Sequence, residues 1–448
     1  MFDSARSAPL SPSTPVSLPA LRIDALDRSG LFDYFTNSWT LYDTLFGAIT
    51  DAGSFYASPD PLRHPLIFYM GHTAAFYINK LVLDGQVMEG VHPEYDTLFA
   101  VGVDPEMTSE LVRFNWPPVE AVRAYRNRVF ERVADAIATV PVDGVIDAEH
   151  PVWAILMGIE HERIHFETSS MLLRQHPAGK LTPPPGWLVG PRDFVTVPND
   201  WVGVPAGPAS IGRPGPGAYY AWDSDCGRRD VDVRSFEASR HLVSNAEYVD
   251  FVLDGGYRDE SLWTGAGWAW RRSEDREHPK FWGREGDAYR YRAVFEEFAL
   301  PLSWPAEVTA HEAEAYCRWK GGGARLLGEA EWTRLTVDAG EDPDPERYNL
   351  NLRFGSPGPC GLFASDGSEF SDLFGNVWTW LGDDFGPLPG FRPHPLYEEF
   401  SAPFFDDHHA VLRGGSWAAL GAEALPHYRN WFRRGFHQHA GFRLARDV

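Results

Sequence analysis

Cysteine is scarce: the 448 residues hold three, Cys226, Cys317 and Cys360, far apart and without a C-x-x-C pair. Neither a disulfide framework nor a thiolate zinc site is expected, and a reducing cytoplasm is the matching compartment. Basic charge is also short. Lys plus Arg number 40 against 63 Asp plus Glu, a net charge of −23. Such a surface repels phosphate backbones and anionic lipid, so no nucleic-acid or membrane partner is expected. No apolar run reaches membrane-spanning length. Met1 to Pro19 is Ser/Pro-rich and lacks the basic and apolar regions of a signal peptide, which predicts a disordered tail over 1–20. These absences leave a soluble multidomain protein with a small-molecule task.

Helical periodicity runs through residues 21–178. Apolar residues recur at 3.6-residue spacing over Leu31 to Ile49, Pro65 to Leu83, Pro118 to Val140 and Val152 to Arg174. Pro65, Pro118 and Pro151 fall at or near first turns, where a missing N–H costs nothing, and segments of this length predict an up-and-down four-helix bundle. One longer connection, Asp84 to Trp116, interrupts it. Three prolines in Gly179 to Gly186 then forbid a helix and open a linker over 179–200. Residues 201–448 are rich in Gly, Pro and Trp. Short strand-like runs (Phe194 to Val197, Trp201 to Val204, Val411 to Leu412) and three helices (Asn245 to Asp254, Ala310 to Trp319, Glu329 to Asp338) predict an irregular α+β domain whose aromatics line a pocket.

The sharpest local signal is Glu160-His161-Glu162-Arg163-Ile164-His165 in the fourth helix. Histidines four apart share one helical face and present two imidazoles to one metal. Ala154, Gly158 and Ser169 keep that face small, which lets a partner approach. His161-Glu162-x-x-His165 also matches the zinc metalloprotease motif with Glu as general base. The metzincin continuation, though, would need Gly and His where Thr168 and Met171 stand. A third ligand is available in the second helix, where His72 lies among Phe68, Ala75 and Phe76 and an unpaired imidazole would be costly. Three neutral nitrogens with open coordination positions suit iron(II), while zinc, copper and nickel remain chemically admissible.

Leu62 to Lys80, Glu160 to Ser170 and Phe436-His-Gln-His-Ala-Gly-Phe-Arg443 resemble the non-heme iron sulfoxide and selenoxide synthases of thiol-histidine biosynthesis, across roughly Leu21 to Asp447. By motif, the 5-histidylcysteine sulfoxide synthases of the ovothiol pathway are the nearest branch. The resemblance implies an α+β architecture: a DinB-like four-helix bundle followed by a formylglycine-generating-enzyme-like domain of C-type-lectin fold. Arg325 to Trp332, Phe374 to Trp378 and Arg413 to Trp417 carry signatures of the second part. Formylglycine generation itself would need a cysteine pair near the C-terminus, and none lies beyond Cys360. The family's ligands fall on His72, His161 and His165, with Fe(2+) as cofactor and O2 as oxidant. The implied reaction joins a chalcogen donor to an imidazole carbon of hercynine or histidine.

Three departures bear on the substrate. Ile164 stands where the ergothioneine branch has Gln, as in the ovothiol branch. Asn430 and Trp431 resemble the ergothioneine-branch residues around a trimethylammonium group, and Trp431 offers it a cation–π face. Phe432 replaces the acid used there for the γ-glutamylcysteine donor, and Trp417 is a further substrate-site candidate. The tyrosine expected shortly after Trp380 is missing, which leaves Asp383, Asp384 or Tyr397 to take its role. Together these features resemble selenoneine synthases, which couple hercynine to a selenosugar. The alternative is a 5-histidylcysteine sulfoxide synthase acting on histidine and cysteine, which would rely on a separate methyltransferase. A HExxH zinc metalloprotease and a non-catalytic binding module are the remote alternatives.

Overall fold

The computed structural model describes residues 16–102, 114–213, 217–337, 347–363 and 368–448. Residues 1–15 of the expected tail and 103–113 of the long connection lie outside the described residues. Residues 16–20 are not loose: Asn37 Nδ2 donates to the Val16 carbonyl, Asn37 Oδ1 accepts from Leu18 N, and Pro19 bridges to Gly421.

Among the described residues, five α-helices build the N-terminal part: α1 (Arg28–Gly47), α2 (Leu66–Leu83), the short α3 (Pro93–Leu98), α4 (Val119–Thr139) and α5 (Trp153–Arg174). The four long ones match the periodic segments to within three residues. Pro65 and Pro118 are the N-caps of α2 and α4, and Asp27 caps α1 by accepting from Gly30 N. Packing of α2 against α5 is close because Gly158 has no side chain; a Cβ there would lie 2.2 Å from the Tyr77 ring. Of the small residues on that face, Gly158 admits the Tyr77 ring of α2 and Ser169 bonds the Tyr42 hydroxyl of α1.

The C-terminal part holds short strands in several small sheets. One runs β1 (Trp201–Val204), β4 (Phe236–Ser239), β13 (Leu444–Asp447) and β8 (Arg325–Leu326). The other four-stranded sheet has the order β11 (Asn430–Arg433), β10 (His409–Arg413), β9 (Trp378–Asp384) and β12 (Ala440–Gly441). Its register sets Leu412 opposite both Trp380 and Asn430. Two further ribbons, β2–β3 (Gly207–Ile211, Arg229–Val233) and β5–β6–β7 (Trp282–Glu285, Ala288–Arg292, Glu297–Ala299), complete the strands among the described residues. Helices α6 (Asn245–Leu253) and α8 (Ala310–Lys320) start with reciprocal capping boxes, Ser244 with Glu247 and Thr309 with Glu312. Helix α7 (Gly265–Ser273) lies between them, and α9 (Glu329–Leu335) is shorter than expected. Phe194 to Val197, expected as a strand, is exposed coil: Val195 is 82% exposed and no neighbouring strand pairs with it among the described residues.

Helix α5 joins the two parts. Trp378 Nε1 and Ser416 Oγ donate to Glu167, Ala422 N donates to Glu160, and Arg174 grips Glu307 through two bonds of 2.7 and 2.8 Å. Among the described residues no helix is long and apolar enough to cross a membrane.

Candidate metal centre

His72 of α2 and His161 and His165 of α5 are all buried, and each offers a ring nitrogen within 4.8 Å of the others. The Nε2 atoms of His161 and His165 are 3.1 Å apart. His72 Nδ1 donates to the Phe99 carbonyl at 2.6 Å, which fixes its tautomer and leaves Nε2 to accept. Phe99 comes this close because Gly71 has no Cβ; one would lie 2.6 Å from the Phe99 ring. Burial, and then repulsion between the rings, pushes His161 and His165 well below the usual imidazole range, and burial brings His72 to about 4. The site thus holds three neutral imidazoles. The Nδ1 atoms of His161 and His165 are buried without a partner. Two uncharged Nε2 atoms at 3.1 Å, in a pocket with an orphaned nitrogen on each ring, fit a divalent cation better than they fit each other.

Aromatic rings continue outward from the histidines. Phe76, one turn after His72, stacks on His161 at 3.6 Å, Tyr397 meets Phe76 at 5.0 Å, and Phe400 meets Tyr397 at 5.5 Å. Lys80, a further turn along α2, lies over the Phe76 and Tyr397 rings at 4.9 and 4.4 Å and donates to the Leu396 carbonyl. Burial lowers its ammonium to about 8.

Known proteins with this architecture decide the family. The sulfatase-modifying factor enzyme 1-like domain matches residues 191–448 and the DinB superfamily residues 34–169. Hercynine oxygenase of Mycolicibacterium smegmatis is 32% identical over 426 residues, covering 89% of this chain and 94% of the relative. The chain belongs to the hercynine oxygenase family of sulfoxide synthases. Hercynine oxygenase of Mycobacterium tuberculosis is 33% identical, covering 87% of this chain and 92% of the relative. Ergothioneine biosynthesis protein 1 of Schizosaccharomyces pombe is 24% identical over 88% of this chain and 53% of its own length. The synthase is an oxygen-dependent enzyme with a DinB-like bundle and a formylglycine-generating-enzyme-like domain.

The other expected residues of the synthase divide by position. Tyr397 stands at the histidines, 6.1 Å from the His161 ring. Asp383 accepts from Glu329 N at the start of α9, and Asp384 pairs with Arg434 at 2.6 Å, so both are engaged away from the histidines. Trp431 stacks on Phe385 at 4.4 Å and meets Phe400 edge-on at 5.0 Å, which links it through Phe400 and Tyr397 to the metal site. Asn430 is buried and accepts from Trp431 N. Phe432 lies 6.0 Å from the Arg63 guanidinium. Trp417 packs on Trp187 and His439, with no ring contact to the histidines among the described residues. Ile164 is half-buried against the core.

Glu162 is not placed as a metalloprotease base. Its oxygens accept from Ser38, Thr73, Tyr77 and Arg126, all at 3.2 Å, inside the bundle. A helix turns 100° per residue, which carries this carboxylate off the histidine face. Ser170, His439 and Glu307 stand in hydrogen-bonding order like a hydrolase triad, at 3.0 and 3.3 Å. All three are buried, Glu307 is held by Arg174, and the Ser170 hydroxyl also donates to the Glu167 carbonyl at 2.8 Å, so they serve as the joint between the two parts. Sequence reasoning named Phe76 only as a neighbour of His72 and gave no role to Arg63 or Lys80. Phe76 and Lys80 recur at four-residue steps from His72, a signal that was present.

Proposed function

We propose that His72, His161 and His165 hold iron(II) and that the synthase joins a chalcogen donor to an imidazole carbon of hercynine, with a selenosugar as the donor. The observation that carries the metal is the convergence of three buried neutral imidazoles with no carboxylate among them. Hercynine is supported by relatives that bear its name and by Trp431. Bound there, iron(II) would supply redox access to dioxygen and open positions for substrate. Across the reaction the ring C–H and the donor's chalcogen–hydrogen bond break and the carbon–chalcogen bond forms. Dioxygen ends as one water and one oxygen on the chalcogen, as a sulfoxide or selenoxide.

The chain's own residues orient the substrate and hold protons. Trp431, stacked on Phe385 and flanked by Phe400 and Phe404, offers the trimethylammonium the aromatic surface these rings leave. Burial pushes the Tyr397 hydroxyl well above the usual phenol range, so at neutral pH it stays protonated and is available to donate a hydrogen bond to the reacting group. Phe76 and Phe400 exclude water from the path between them. Ile164 favours a second reading, in which histidine and cysteine are the substrates, as in 5-histidylcysteine sulfoxide synthases. Anaerobic calorimetry of the iron(II)-loaded protein with hercynine and with histidine decides between them: tighter hercynine binding is expected, and tighter histidine binding overturns the first reading. Oxygen uptake retained in His165→Ala with either substrate would refute the iron assignment.

A further inference from the structure

Lys80 stands in the last turn of α2, about two turns beyond His72. Its surroundings are poor ones for an ammonium. The side chain is half-buried, no carboxylate lies within ion-pair distance among the described residues, and burial brings it to about 8 against 10.5, with Glu399 acting from longer range. A methionine or leucine would cover the Phe76 ring without that cost, so packing alone does not account for the charge.

Two of its contacts reach the other half of the chain. The ammonium lies 4.4 Å over the Tyr397 ring and donates to the Leu396 carbonyl. Both belong to 385–408, the connection between β9 and β10, whose regular structure is one short 3-10 turn, Ala402–Phe404. A segment without ladder hydrogen bonds keeps its place through individual contacts. Around Tyr397 the coil is folded on itself: Tyr397 N donates to the His394 carbonyl at 2.9 Å, Phe400 N to the Tyr397 carbonyl at 3.2 Å and Leu396 N to His394 Nδ1 at 3.1 Å. Among the described residues its hydrogen bonds to the bundle are those of His394 Nε2, which donates to the Ala148 carbonyl at 3.0 Å, and of Lys80.

Tyr397 depends on these anchors. Its hydroxyl makes no hydrogen bond among the described residues, so the ring is set by Phe76 edge-on at 5.0 Å, Phe400 at 5.5 Å and the cation over its face. Lys80 shares α2 with His72, and its charge acts on both His72 and His161. A ring held by Lys80 is therefore held in register with the histidines.

We propose that Lys80 is a positioning residue: its ammonium clamps the 394–400 segment to α2 through the Leu396 carbonyl and the Tyr397 face, and so places the Tyr397 hydroxyl at the metal centre. The inference rests on the donor role proposed for Tyr397 and adds the group that sets its position.

The test reads backbone hydrogen exchange of the full chain by mass spectrometry, beside oxygen uptake of the iron(II)-loaded protein with hercynine and 1-seleno-β-D-glucose. In Lys80→Met, which keeps the apolar stem, amides over 391–404 should exchange at least fivefold faster while those of α2 stay within twofold of the parent. kcat should fall at least tenfold with the calorimetric Kd for hercynine within twofold. Lys80→Arg, which keeps the charge and the donors, should bring both exchange and kcat back to within threefold, and Lys80→Leu reads the same contact should Lys80→Met not fold. In Tyr397→Phe, which keeps the ring, Lys80→Met should still speed exchange but lower kcat by less than a further twofold, because the hydroxyl it places is gone. Exchange over 391–404 within twofold of the parent in Lys80→Met, no recovery in Lys80→Arg, or losses of kcat that multiply in the double variant overturns the clamp. Parent kcat in Tyr397→Phe overturns the role of the hydroxyl instead, and the exchange rates decide the clamp independently of it.

Discussion

Glu162 offers a sharp test of the physical reasoning, because motif and structure give it opposite roles. Its carboxylate is fully buried and takes donors from Ser38, Thr73, Tyr77 and Arg126. Arg126 is 2% exposed at its side chain and sits 4.1 Å over the Trp39 ring. Replacing Glu162 by Gln removes the charge opposite that guanidinium and turns one acceptor oxygen into a donor facing other donors. Breaking a buried pair in this way costs about 3–5 kcal/mol. Asp43, 3.0 Å from Arg126, supplies some compensation, but its side chain is 42% exposed and its charge is screened. The loss is therefore placed at the lower end, about 3 kcal/mol, a fall in Tm of about 6–12 °C for a cooperative unit of bundle size. Circular dichroism melts of the parent and of Glu162→Gln measure it. Oxygen uptake at low temperature, where the variant stays folded, should remain within a few-fold of the parent, since the carboxylate does not touch the histidines. A Tm within 1 °C of the parent, together with abolished turnover, would refute the argument and restore Glu162 as a general base.

Trp431→Ala should weaken hercynine binding by about 1–2 kcal/mol, roughly tenfold, with little effect on histidine, as read by calorimetry. Tyr397→Phe should leave hercynine affinity within twofold while lowering kcat at least tenfold if the hydroxyl donates to the reacting group; unchanged kcat sinks that role. Glu329 gives a pH prediction: burial raises its carboxyl, but Arg429 and Arg413 overcome this and hold it at about 2, against 4.5 unfolded. Its folded value is the lower one, so the pair's contribution, about 3 kcal/mol, is present above pH 4.5 and is lost as pH falls from there through 2. Urea midpoints should drop across that window in the parent, and a flat midpoint would contradict the assignment.

Local pattern made part of this legible. Apolar spacing and proline starts place four helices to within three residues, because each helix is amphipathic on its own account. The histidines were readable for the same reason: 161 and 165 share a face by helical arithmetic, and His72 stood out as an imidazole among Phe and Ala. Glu162 misleads because its partners, Arg126, Thr73 and Tyr77, arrive from α2 and α4, and no local pattern shows what faces a residue across a bundle. Phe194 to Val197 fails as a strand for the opposite reason: its β-branched and aromatic residues suit a strand, but a strand exists only where an edge accepts it. Tyr397 and Trp431 reach the site through a chain of rings spread over three hundred residues of sequence, a juxtaposition that only the folded chain displays.

The stripe Glu160, Glu167, Ser170 and Arg174 on α5 lies on the far side of that helix from the metal-binding histidines. One helix therefore belongs to both halves at once, and the consequence is genealogical. Elsewhere a bundle or a lectin-like domain can be exchanged by recombination, since each carries its own surface. Here an incoming C-terminal half must bring Trp378, Ser416, Glu307 and His439 at matching positions, or Arg174 is left as an uncompensated charge and Glu167 as a buried carboxyl without donors in a closed seam. The two halves therefore fit each other only as a matched pair.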